Sequence, residues 1–213
     1  MNLEVFHSRL SDIYNKYNNT IKPLIADIEA RQQQFPDSLF NEIRALNDHI
    51  ARCYIKGFAD DRVEVELKNA EGHIYRITLD CYKYLNVWFF DYIKEIDKDY
   101  ISKLDITLID NGMFAIQYRN YQKEAITLIR DAKKSESIDK QKSFDLYQKA
   151  YNTYSELEKL IDTNISSLNW VKFRKGITKI GSILVWIISI IISSLVTIFV
   201  GCDWIKSFFL NVF

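Results

Sequence analysis

A chain of 213 residues with 48% apolar and 26% charged side chains can bury a real core, and its two prolines and six glycines argue against a turn-rich all-β fold. Its 28 basic and 28 acidic residues balance, which excludes the broad basic surface of a duplex nucleic-acid binder. Cys53, Cys81 and Cys202 are too widely spaced for a disulfide framework or a metal-ligand pattern, so neither a metal site nor a cofactor is expected.

The N-terminal MNLEVFHSRLSDIYNKY carries charges throughout and has no continuous apolar run, so it does not read as a signal peptide. Leu3, Phe6, Leu10, Ile13 and Tyr17 recur at three- and four-residue intervals and predict an amphipathic helix. Asn18, Asn19 and Pro23 interrupt or kink it, and Leu24, Ile25 and Ile28 continue on a shifted stripe as far as Phe35–Pro36. Asp37 is the expected cap of the next helix, with Leu39, Ile43, Leu46, Ile50 and Cys53 on its apolar face and Gly57 as its stop.

From there the period changes. Val63, Val65 and Leu67 alternate with charged residues, Asn69-Ala-Glu-Gly72 reads as a turn, and Tyr75, Ile77 and Leu79 alternate again. The pattern predicts one β-hairpin over about 60–79. Helix resumes after Asp80, a second expected cap, with Tyr82, Leu85, Phe89, Tyr92, Ile96 and Tyr100 on one stripe. Asp110-Asn111-Gly112 makes a break, after which Phe114, Tyr118, Tyr121, Ala125 and Leu128 mark a further helix ending near Lys133–Lys134. A last helix starts near Ser137 or Asp139, and only Gly176 lies between it and the apolar segment that follows.

That segment is the most telling part of the chain. Residues 180–200 hold no charge, and 21 helical residues rise roughly 30 Å, the thickness of a hydrocarbon core. Lys172, Arg174, Lys175 and Lys179 precede it, and one basic residue, Lys206, follows. Residues 1–163 hold 23 basic and 27 acidic side chains, whereas 164–213 hold five and one. Basic residues at one end of a span are retained on the cytoplasmic side, so the N-terminal domain is expected in the cytoplasm and the chain in the inner (plasma) membrane. Trp170 and Trp204, with the four basic residues before the span, are the expected interface anchors.

The expected organisation is therefore mainly α: a helical bundle with one hairpin (1–136), a stalk helix packed on it (137–176), a single transmembrane helix (177–201) and a short apolar non-cytoplasmic tail (202–213). Within the span, Ser182, Ser189, Ser193, Thr197 and Gly201 share one face, and small residues four apart allow close helix approach. This predicts self-association, with the hydroxyl face as a possible pore lining. Residues 84–92, YLNVWFFDY, are apolar nearly all round, which makes Tyr84, Trp88 and Phe90 candidates for an oligomer interface.

Enzyme signatures are sparse: there is no phosphate-cradling glycine loop, no nucleophile elbow and no HExxH. Arg44-Ala-Leu-Asn-Asp-His49 resembles the arginine–histidine element of HEPN ribonucleases, which are helical bundles. The resemblance covers six residues, and Ala45 stands where that family usually has a polar residue. It implies His49 as general acid–base and Arg44 as a phosphate contact. The leading expectation is non-enzymatic: an anchored protein whose cytosolic domain binds a partner or signal ligand and self-associates. A membrane-perturbing effector of a bacterial antiviral system has this design. The alternatives are a membrane-tethered HEPN-like ribonuclease and a passive recruiting adaptor.

Overall fold

The computed structural model describes residues 3–57 and 59–210. It consists of α1 (Leu3–Lys16), α2 (Lys22–Gln32), α3 (Asp37–Arg52), α4 (Asp60–Ile96), α5 (Met113–Ser135) and α6 (Lys140–Leu210), and no strand occurs among the described residues.

Of the first stripe Phe6 and Ile13 are buried and Leu3 is exposed, while Ile21, Leu24 and Ile28 are buried beyond it. Asn18 and Asn19 do not end the helix. A π-helical turn over Tyr17–Ile21 joins α1 to α2, and its wider winding takes up the change of stripe, with Pro23 directly after it in the first turn of α2. α2 stops at Gln33, which adopts φ 53° and returns its N–H to the Glu29 carbonyl at 2.8 Å. The cap of α3 is Pro36 and not Asp37, which lies inside the first turn and places its charge at the positive end of the helix. α3 ends at Arg52, and Gly57, at φ +84°, turns the connection beyond it.

The expected hairpin over 60–79 is not formed: all of it lies in α4, a helix of 37 residues. Val63, Val65 and Leu67 alternate by coincidence. Leu67, Ala70, Ile74, Ile77 and Cys81 are buried at helical spacing, while Val65 is more than half exposed. Gly72 sits within the helix and makes no turn, and the Glu, Lys and Arg residues between the apolar positions are good helix formers. Asp80 is likewise internal to α4 and caps nothing. The break at Asp110-Asn111-Gly112 does exist. All three residues have positive φ, and α5 starts at Met113. Asp139 caps α6 by accepting from the Lys142 N–H at 2.9 Å.

α4 runs through two cores. Its first half packs with α1, α2 and α3 around Ile13, Ile28, Leu46 and Leu67; its second half packs with α5 and α6 around Phe89, Tyr118, Tyr154 and Leu157. The short 3-10 turns at Ile106–Leu108 and Asp110–Gly112 close the second core against Leu168 and Val171 of α6. The expected stalk and span form one helix of 71 residues, unbroken at Gly176 and roughly 105 Å long.

Candidate functional site

α6 contains one helix segment long and apolar enough to cross a membrane, and nothing in the fold covers it. Ile180, Trp186, Leu195 and Phe199 each expose half or more of their surface. A helix that is apolar all round is suited to the core of a protein assembly or to a bilayer.

Before the apolar segment, Lys172 and Lys175 of the basic collar reach the bundle, while Arg174 packs on its own helix. Lys172 lies over the Tyr100 ring at 4.7 Å, Lys175 donates to the Lys103 carbonyl, and Arg174 lies over Trp170 at 5.4 Å. Lys179 is exposed, as is much of Trp170. The Trp204 side chain falls outside the described residues. On the small-residue face, Ser182, Ser189 and Thr197 return their hydroxyls to the carbonyls of Thr178, Val185 and Ser193 at 2.8–2.9 Å. Ser193 makes no such bond among the described residues, and no side chain approaches the Gly201 Cα. The face is thus polar but internally satisfied, apart from one hydroxyl.

The aromatic stretch divides. The Tyr84 hydroxyl is 2.8 Å from Ser38 Oγ, and Trp88 stacks on Tyr92 at 5.1 Å beneath the Arg31 guanidinium at 4.4 Å. Arg31 in turn holds Glu158 of α6 through two bonds of 2.7 and 2.8 Å, and Asp27 at 2.6 Å. Tyr84 and Trp88 therefore serve the joint between α2, α3 and α6, and Phe90 is the exposed member of the three.

The densest polar cluster lies between α3 and α4. His49 Nδ1 meets Glu66 Oε2 at 2.5 Å, and His73 Nδ1 meets Glu42 Oε2 at 2.7 Å. The two rings lie 5.1 Å apart, tilted by 30°. Arg76 donates to Glu42 at 2.9 Å, and Arg52 approaches Glu66 at 3.5 Å. Each Nδ1 thus faces a carboxylate, and each also has a guanidinium near it, Arg76 at 2.8 Å from His73 and Arg52 at 3.4 Å from His49. Burial works against the charge of Glu42, yet the bonds from Arg76 and His73 hold its carboxyl below the ordinary range. The His49 bond, opposed by slight burial and aided by Arg52, does the same for Glu66. Arg44 does not join His49: it is exposed on another side of α3, and Arg52 is the arginine beside that ring.

The arrangement has a sequence origin that periodicity alone passes over. Glu42-x6-His49-Ile-x-Arg52 recurs 24 residues later as Glu66-x6-His73-Ile-x-Arg76. Placed on two packed helices, the repeated segment pairs each histidine with the glutamate of the other copy. Compared with known protein families, with curated proteins and with solved structures, the chain matches none of them.

Proposed function

We propose that this chain is a C-terminally anchored, single-pass protein of the inner membrane. Its N-terminal bundle faces the cytoplasm, binds a partner or signal ligand, and couples that event through self-association to a perturbation of the bilayer. The supporting observation is the continuity of α6, whose first half supplies the wall of the second core and whose second half is bare and apolar. A binding event that shifts the bundle moves the span with it, because no linker lies between them. The basic collar before the span supports the orientation. The test is the mass of the protein in lipid nanodiscs together with ion leakage from loaded liposomes. Several subunits per disc and a leak suppressed by Ser189→Leu with Ser193→Leu and Thr197→Leu are expected. A monomer without leak, or full function after exchange of the span for an unrelated apolar helix, returns the protein to a passive recruiting role.

A second reading rests on the histidine seam. Two glutamate-held imidazoles 5.1 Å apart, flanked by Arg52 and Arg76, place acid–base groups beside cationic groups, the requirement for cleaving a phosphodiester. It keeps His49 from the ribonuclease resemblance and replaces Arg44. Cleavage of a labelled single-stranded RNA, lost in both His49→Ala and His73→Ala, supports it; equal turnover by wild type and both variants rejects it.

A further inference from the structure

α4 and α5 both lie against α6, and they stand apart between Val87 and Phe90 on one side and Ile126 and Ile129 on the other. The gap is a groove of about 580 Å³, walled by Val87 and Phe90 of α4 and Ile126 and Ile129 of α5, with Tyr147 and Tyr154 of α6 as its floor. That volume is in the range of small-molecule sites.

One polar group in the groove has no partner. Asn86 is only 2% exposed and donates its Nδ2 to the Tyr147 carbonyl at 3.0 Å, leaving Oδ1 buried and unbonded among the described residues. The amide is not turned round, because its oxygen would then face the Tyr147 carbonyl oxygen at 3.0 Å. A buried acceptor left empty costs about 1–3 kcal/mol, so the site is complete only when something donates to it. Charge is uneven at one end. Lys83 is neutralised by Glu136 at 2.8 Å, whereas Lys133, also on the rim, forms no ion pair among the described residues.

We infer that this groove binds a small amphipathic molecule with an apolar body, an N–H or O–H that donates to Asn86 Oδ1, and an anionic group that pairs with Lys133. A partner helix fits less well, because its backbone N–H groups are spent on its own ladder. The site lies outside the membrane reading and stands without it.

Anilinonaphthalene sulfonate carries all three features and serves as the probe, titrated against full-length protein in nanodiscs with empty discs subtracted. A saturable fluorescent component is expected. Ile126→Trp, a surface change that fills the groove, removes it; Lys133→Glu weakens it about tenfold; Val65→Trp, a surface change elsewhere on α4, leaves it intact. The N-methyl derivative of the probe, which lacks the donor, binds about tenfold more weakly. The inference is overturned if wild type shows no saturable component, if Ile126→Trp retains it, or if both probes bind equally. It is also overturned if Ile126→Trp instead lowers the number of subunits per disc, which would make a second copy the occupant.

Discussion

The two halves of α6 share one backbone and obey opposite rules. Between residues 140 and 171, Tyr147, Tyr154, Leu157, Ile161 and Leu168 are buried on one stripe, while Lys149, Glu156 and Lys159 face solvent. Between residues 180 and 199 apolar residues occupy nearly every heading and none is buried. Helix propensity cannot tell these halves apart; the surroundings each half demands can. A stripe asks for protein on one side and water on the other, and an all-round apolar surface asks for hydrocarbon.

The contrast is sharpest under truncation. Leu157→Ala, at a fully buried position, should cost about 2–5 kcal/mol of bundle stability in urea unfolding. Leu184→Ala, on the bare half, should leave the unfolding midpoint where it was. Equal losses would mean that the bare half has protein packed against it. Charge reverses the sensitivity. Ile187→Arg should cost about 2.5–3.5 kcal/mol of insertion and release the protein from membranes on alkaline extraction. Retention in the membrane pellet would break the comparison.

A smaller effect separates the polar contacts on the first half. Arg31→Ala removes a fork to Glu158 that is mostly shielded from water and should cost about 1.5–3 kcal/mol. Lys159→Ala, which loses an exposed pair with Glu156, should stay within ~0.5 kcal/mol. The mildest test uses pH. Glu42 and Glu66 are held below the ordinary carboxylate range in the folded state, so their contribution is present above about pH 4.3 and is lost as pH falls through their lowered values. The urea midpoint of the bundle should therefore drop on acidification below that pH, and less so in Glu66→Gln. Helicity of the span should not follow.

The apolar half was the most legible part of the chain, because 21 uncharged residues admit few alternatives. The helices flanking Phe35–Pro36 and Asp110-Asn111-Gly112 were legible for a similar reason, since φ restriction and positive φ leave marks in composition. Residues 60–79 misled because period two and period 3.6 agree over short windows. Val63 and Leu67 satisfy both, and Ala70, the residue that decides for helix, is small enough to be taken for part of a turn. The histidine seam was hidden for another reason. Its partners lie 17 and 31 residues apart, and only alignment of the chain with itself at an offset of 24 brings Glu42 over Glu66 and His49 over His73. The Asn86 groove left no mark in the sequence, because it is a space between α4 and α5 and not a pattern of residues on either.

The unbroken course of α6 also sets a heading. At about 100° per residue, Ser182, Ser189, Ser193 and Thr197 come round to within roughly 60° of Leu168, the side on which α4 and α5 lie. The bundle therefore overhangs the small-residue row like an eave. Two helices in direct contact run about 8–10 Å apart, and a parallel neighbour at that distance would rise into the space α4 and α5 already fill. Side-by-side pairing along this row is closed to two straight copies. A steep crossing of about 40°, of the kind small residues permit, stays open and would splay the two bundles apart.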